Sequence, residues 1–321
     1  MMDSMKLAPV VMFVYNRADH LKITYDALKK CELAKETDLF IFSDGPKNES
    51  AVAQVEEVRK ALKEIEARDD FKFVEIRESR ENKGLAKSIV LGVTEIVNRY
   101  GKVIVIEDDC AASPYFLRFM NRSLEIYMDE KTVGSIAGFT PQLEFPKSFK
   151  EDIFLAYRSC SWGWATWKDR WAEVDWELKD INEFYCHPKL IRRLNSNGAD
   201  RFIRLYRQTK GNGSSWSVRF GAHLVKNNQM TVYPKYSYIE NIGCDESGTH
   251  SRSDDAEKMR VDISKAIENP KLDMPEVNQK IQKTMKKHYS GGIVSNIKRT
   301  VGTAVIVCKE YIAGGLWKTK D

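Results

Sequence analysis

Three consecutive carboxylates, Glu107-Asp108-Asp109, close the apolar run Val103-Ile104-Val105-Ile106, in which every residue is β-branched. Such a run reads as a buried, parallel-type strand, and the acids mark its carboxyl end. Three carboxylates crowded at the mouth of a core repel one another. A divalent cation, held by oxygen ligands, is the simplest relief. The plain alternative is a solvated acidic turn. Polar clusters end two other apolar runs as well: Asn16-Arg17 follows residues 10–15, and Asp44-Gly45-Pro46 follows residues 38–43.

The elements that must position these groups follow in order. Strands are expected at 10–15, 38–43, 71–76 and through the run at 103–106. Helices are expected between them: 20–30 capped by Asp19, 49–68 with Val52, Val55, Val58, Leu62 and Ile65 on one face, and 85–100. Ser113-Pro114 reads as a helix start, with Phe116, Leu117, Met120, Leu124, Tyr127 and Met128 facing inward as far as Asp129. Strand and helix alternate, the pattern of a doubly wound α/β sheet, in which ligands bind beyond the carboxyl ends of the strands. All three polar clusters sit at such ends. Further on, short strands are expected at 133–137, 153–156 and 230–233. A basic helix is expected at 188–206, a flexible loop at 210–215 and a helix at 216–227. Between them lies Ser161-Trp162-Gly163-Trp164, part of a stretch that also holds Trp167 and Trp171; it reads as an exposed corner. Aromatic faces bind sugar rings, although packing is the commoner use of each indole. Asn241 to His250 is glycine-rich and polar.

Composition narrows the class. The chain has 321 residues, 42% hydrophobic and 30% charged, with net charge +5 and pI near 8.7. That suits an anionic ligand or surface and is too mild for nucleic acid. Six scattered cysteines without a CxxC pair read as reduced thiols of a cytosolic protein. Residues 7–15 read as a first core strand rather than a signal peptide, and no segment is long enough to span a membrane. The tail is basic at 280–287 and moderately apolar at 293–317. It reads either as an amphipathic element drawn to anionic lipid or as helices packed on the body or partly disordered.

Together these motifs resemble the GT-A glycosyltransferases that use nucleotide sugars. The likeness is greatest to bacterial family-2-like enzymes and to the type that adds the first N-acetylglucosamine branch to N-glycans. It spans residues 8–250 and rests on Glu107-Asp108-Asp109, Ser161-Trp162-Gly163-Trp164 and Asn241-Ile242-Gly243 leading to Gly248-Thr249-His250. It implies an α/β GT-A fold, with a mostly parallel sheet flanked by helices over residues 1–250 and a helical extension over 251–321. It implies that Asp109 meets Mn²⁺ or Mg²⁺, which as a Lewis acid neutralises the diphosphate leaving group. His250 would close over the diphosphate or complete the metal shell. Glu107 and Asp108 would border the donor, Asp108 pointing at its ribose or sugar, and Asp44 would accept a hydrogen bond from uracil. Asn16 and Arg17 would frame the base and ribose, and Arg80, Asn82, Lys83 and Gly84 would run beside the nucleotide. Trp162, Gly163, Trp164 and Trp216 would contact sugar or acceptor.

One departure stands out. An inverting transferase needs a base for the acceptor hydroxyl, and the segment where the resemblance leads one to expect an aspartate reads Ser214-Ser215-Trp216-Ser217. Asp169, Asp175 and Asp200 are the replacement candidates. The expected function is transfer of a hexose or N-acetylhexosamine from a UDP-sugar to a glycan or lipid-linked acceptor, with inversion. The setting would be bacterial surface glycan synthesis at the inner face of the cytoplasmic membrane, with peripheral contact through the basic C-terminus. The alternative is a catalytically silent nucleotide-binding scaffold.

Overall fold

The computed structural model describes residues 6–243 and 259–314. Its centre is an eight-stranded sheet in the order β3-β2-β1-β4-β8-β6-β9-β7. The strands are β1 (Val10–Val14), β2 (Asp38–Ser43), β3 (Phe73–Glu78), β4 (Lys102–Glu107), β6 (Val133–Ala137), β7 (Ile153–Ala156), β8 (Trp164–Trp167) and β9 (Met230–Pro234). A separate two-stranded ribbon pairs β5 (Cys110–Ala112) with β10 (Ile239–Asn241). The β3-β2-β1-β4 block is wholly parallel. β8 joins it antiparallel, with Val105 opposite Trp164.

Alternation along the strands fills both faces of this block. Val10, Met12, Leu39, Ile41, Ile104 and Ile106 point to one side, against α1 (Ala18–Leu28), α2 (Val52–Glu66) and α4 (Phe116–Ile126). Val11, Phe13, Phe40, Val103 and Val105 point to the other, against α3 (Leu85–Tyr100). A third apolar cluster joins α6 (Ile181–Cys186), α7 (Pro188–Leu194), α8 (Arg201–Thr209) and α9 (Trp216–Lys226). The short α5 (Lys168–Trp171) follows β8 directly.

Several ends differ from expectation. Asp19 lies in the first turn of α1, and the capping position belongs to Arg17. Ser113 does not cap α4: its Oγ is buried without a partner among the described residues, and the helix begins at Phe116. Met128 and Val52 are exposed rather than inward. The basic helix expected at 188–206 is two helices, α7 and α8. The break contains Gly198 at φ 148°, a backbone region that residues with a Cβ avoid.

Beyond residue 258, α10 (Gln279–Ser290) buries Ile281 and Met285 in the main core, and Gln282 exchanges hydrogen bonds with Asn197 and Leu155. α11 (Ile293–Ala313) lays Ile306 and Val307 on the third cluster. No described helix is long and apolar enough to cross a membrane.

Candidate functional site

β1 leads on to β2 and β3 on one side of the sheet, while β4 lies on the other, so strand order reverses between β1 and β4. In open α/β sheets that crevice is where ligands bind. A cleft of about 1420 Å³ opens there and continues past Trp162 to α8 and α11.

The acidic triplet forms its floor. Val103 to Ile106 are fully buried, and Glu107 ends β4. Asp108 is anchored through its backbone N–H to Phe13 and through its carbonyl to the Thr24 hydroxyl, 2.8 Å away. Its side chain accepts from the Tyr15 N–H at 3.3 Å and from Arg17. The same Arg17 Nη2 donates to Asp109 at 2.8 Å. The first loop therefore supplies a counterion to two of the three acids, a pairing that no local pattern of residues displays. Gly243 closes the group from the ribbon side: a Cβ there would lie 2.4 Å from Asp109 Oδ2 and 2.8 Å from Arg17 Nη1.

One guanidinium does not balance three carboxylates. Burial, then Asp109 and Asp108, push the Glu107 carboxyl well above the usual range. Burial also raises Asp108 to about 6, despite the opposing pull of Arg17. A rise of that size costs the folded chain about 3 kcal/mol at neutral pH. The four fully buried side chains of β4, at about 1.5–3 kcal/mol each, outweigh it. Hard oxygen donors short of positive charge fit a divalent cation. Asp109 is the residue that would hold it at the cleft surface, and Arg17 would have to share or yield that carboxylate. Among the described residues no three His, Cys, Asp or Glu side chains, the triplet included, gather so as to hold a metal ion by themselves. His250 lies outside the described residues, as do Gly248 and Thr249.

Asp44 is a loop clamp. Its carboxylate accepts the N–H groups of Gly45 at 3.0 Å, Lys83 at 2.9 Å and Gly84 at 2.9 Å. Asn82 Nδ2 donates to the Gly45 carbonyl at 2.7 Å. Gly45 is required by contact: a Cβ would lie 2.6 Å from the Glu81 backbone. Asn16 Nδ2 donates to Gln54 on α2 at 3.0 Å. Asn16, Arg17, Asp44, Asn82, Lys83, Gly84, Glu107, Asp108 and Asp109 thus line one cleft. The Arg80 side chain is exposed and does not line it.

The tryptophans divide. Trp162 stands edge-on to Phe139 at 4.7 Å and lines the cleft. Trp164 is buried, stacked between Trp216 at 4.7 Å and Trp171 at 5.6 Å. The exposed corner expected there is therefore a core strand: β8 slots between β4 and β6 and draws Trp164 and Trp167 inside. Trp216 is buried too, and its main contact is this stack. Gly163 is held at φ 58°, and a Cβ would meet Ile239 at 2.5 Å. It serves packing.

The three aspartates proposed as base separate as well. Asp169 sits on α5, just past Trp167, which is paired with Lys102 at the amino end of β4. It is thus at the opposite end of the sheet from Asp109, bound to Lys131 at 3.0 Å and to Arg170. Asp175 accepts the N–H groups of Glu177 and Asp180 and lines a different, smaller pocket. Asp200 does line the large cleft. Burial alone would raise its carboxyl, but Arg158 at 3.1 Å, with Arg201 and Arg204, holds it far below the usual carboxylate range. That makes it a weak proton acceptor. Ser214 and Ser215 border the cleft, and Ser215 Oγ lies 3.3 Å from Ser217 Oγ.

Arg158, Arg201, Arg204 and Arg299 line the same cleft and are absent from the residues that the motifs point to. A signal existed in the three-residue spacing of Arg201, Arg204 and Arg207. Cys31, Cys110, Cys160, Cys186 and Cys308 are unpaired; Cys244 lies outside the described residues.

No family model matches the chain, and no curated protein does. Among solved structures it is similar to S. aureus TarS, with 13% identity and a TM-score of 0.42, over 73% of this chain and 36% of that one. The 1–349 fragment of TarS in complex with UDP-GlcNAc gives 13% identity and a TM-score of 0.41, over 73% of this chain and 57% of that one. The chain thus spans between a third and three-fifths of the length of these neighbours. At such distance the functional reading rests on the geometry of the cleft.

Proposed function

We propose that the chain is a GT-A-type glycosyltransferase that moves a hexose or N-acetylhexosamine from a UDP-sugar to a glycan or lipid-linked acceptor. The observation that carries this is the gathering along one cleft of the loops after β1, β2, β3 and β4, with Arg17 tying the first to the acids after β4 and Asp44 tying the second to the 83–84 backbone after β3. In this reading the nucleotide lies along Asn16, Asp44 and the 82–84 loop, whose backbone Asp44 fixes. Asp108 orients Arg17 beside the ribose and diphosphate. Asp109 holds Mn²⁺ or Mg²⁺, which when bound stabilises the charge that develops on the departing diphosphate. The acceptor hydroxyl enters past Trp162 and attacks C1 with inversion, the C1–O bond to the diphosphate breaks to release UDP, and the hydroxyl proton passes to water in the open cleft, since Asp200 is ion-paired with Arg158.

A silent nucleotide-binding scaffold is the second reading. It is favoured by the serines at 214 and 215 and by the ion-paired state of Asp200. The proposed setting is surface-glycan synthesis at a membrane face, supported by the outward apolar ridge of α11.

Thermal unfolding of the full chain with a panel of nucleotide diphosphates and UDP-sugars, with and without Mn²⁺, tests the reading. Stabilisation by UDP that needs metal and is lost in Asp109→Ala is the expected result. No response to any nucleotide overturns it. Release of UDP from any UDP-sugar, including slow hydrolysis, excludes the silent scaffold.

A further inference from the structure

The cleft is electrostatically two-sided. Its floor carries the acidic triplet. The wall built by residues 157–162, α8 and α11 carries Arg158, Arg201, Arg204, Arg207 and Arg299, with Asp200 the carboxylate among them. Arg158 is well accommodated, bonded to Asp200 and lying 3.8 Å over the Tyr289 ring. Arg201 is not. It is 2% exposed, donates through Nη2 to Ser159 Oγ and the Ser217 carbonyl at 2.9 Å, and leaves its Nε buried without a partner among the described residues. Gly221 makes room for it: a Cβ there would lie 2.5 Å from Arg201 Nη2. Burial, and then the guanidiniums of Arg158 and Arg204, disfavour its charged form. Desolvation, Arg158 and Arg299 act on Arg204 in the same direction, opposed by Asp200 at 3.5 Å.

Arginines buried for structure are usually matched by carboxylates, because an uncompensated buried charge costs several kcal/mol. Here Arg158 and Arg201 are buried, Arg299 is half-buried and Arg204 and Arg207 are exposed, and Asp200, which pairs with Arg158 and Arg204, is the carboxylate that lines the cleft among them. Guanidinium forks match the oxygens of a phosphate in pairs, and several forks around one site suit a group with several anionic oxygens. Trp162 lines the same cleft as the arginines and the triplet.

We propose that this basic wall is an acceptor subsite for a phosphate group, so that the hydroxyl to be glycosylated belongs to a phosphate-bearing molecule. The proposal rests on the donor site being at the triplet. The phosphate is either the ester of a soluble or polymeric sugar or polyol, or the diphosphate of a lipid carrier; both present the same oxygens to the wall.

The experiment is thermal unfolding of the full chain in phosphate-free buffer at matched ionic strength. Inorganic phosphate, glucose 1-phosphate, glucose and farnesyl diphosphate are titrated with and without saturating UDP and Mn²⁺. Expected is stabilisation by phosphate but not by glucose, which persists when UDP is present. Apparent affinity should weaken about tenfold in Arg204→Ala and in Arg207→Ala, the loss of one charge-assisted hydrogen bond. Both residues are exposed, so these variants keep the fold where Arg201→Ala would not. Preference for glucose 1-phosphate or for farnesyl diphosphate assigns the source. No phosphate effect, an effect abolished by UDP, or one unchanged in both variants overturns the subsite. If UDP itself fails to bind, the donor reading falls, while the arginine dependence of the phosphate effect still decides the wall.

Discussion

Arg17 Nη2 donates to Asp109 Oδ2 at 2.8 Å, across 92 residues of chain, and bonds Asp108 with the same nitrogen. The bridge closes the crevice between β1 and β4 from within. Arg17→Ala should leave two adjacent carboxylates facing each other in a largely buried place. Breaking one partner of such a group costs about 3–5 kcal/mol. Urea unfolding in EDTA should show a midpoint lowered accordingly. Added Mn²⁺ should recover more in the variant than in the wild type, because the cation takes over the role of the guanidinium. Equal midpoints in EDTA would mean the bridge contributes nothing.

Asp44→Asn should loosen the 79–84 loop. The carboxylate accepts three N–H groups, and an amide presents one oxygen and a donor in their place. About 1–3 kcal/mol of local stability is at stake for each donor left unmatched. Hydrogen exchange at residues 79–84 should accelerate while β4 stays protected. A protected loop in the variant would contradict the clamp.

The elements that could be read without structure share a property. β2, β4 and α3 are continuous in pattern and bounded by turn residues, so local sequence decides them. β8 is different: four residues with two tryptophans become a strand only because β4 and β6 offer edges on both sides. The 195–200 break depends on Gly198 fitting beside Arg158 and Asp200, which residue spacing does not display. The acids of the site were legible because they interrupt an apolar run. Their partner Arg17 was visible as a loop residue, but its contact is a product of sheet order. The arginine wall is assembled from three separate segments and becomes a unit only in the fold.

Trp164 and Trp162 should respond in opposite ways. Trp164 lies inside a stack with Trp216, Trp171 and Phe220, and Trp164→Ala should cost about 3–5 kcal/mol. Trp162→Ala removes a half-buried ring at the cleft and should leave the unfolding midpoint nearly unchanged. In an acceptor-dependent assay it should raise the acceptor KM. A large stability loss in Trp162→Ala would return that ring to the core.

Asp200 sets an acid limit. Its carboxyl is held below its unfolded value of about 3.9, so the folded chain binds fewer protons there than the unfolded chain. Stability from this group is present in full above about pH 4 and falls as pH drops below it toward the depressed folded value. Unfolding midpoints measured from pH 6 down to pH 3 should decline for the wild type. The decline should be shallower in Asp200→Asn, which starts lower because Arg158 loses its partner. Parallel curves would remove Asp200 from the acid response.

α11 presents two faces. At 100° per residue Ile293, Val294, Ile297, Val301, Val305 and Ile312 fall within about 120° of arc, and all are exposed, from 56% to 80%. Lys298 and Lys309 lie just past one edge of that arc. Thr303, Ile306, Val307 and Glu310 lie opposite, against the body, where Glu310 bonds Tyr206 at 2.8 Å. A helix fastened on one side by packing, with an apolar ridge on the other and lysines beside it, supports the proposed contact with an anionic lipid surface. The same helix contributes Arg299 to the cleft, so lipid contact would bring the basic wall toward headgroup level. The full chain should float with vesicles containing phosphatidylglycerol and not with neutral phosphatidylcholine vesicles. Ile297→Glu with Val301→Glu should abolish flotation without moving the unfolding midpoint, because neither side chain packs on the body. Flotation retained in the double variant would place the lipid contact elsewhere or deny it, and a lowered midpoint would mean the ridge packs within the protein.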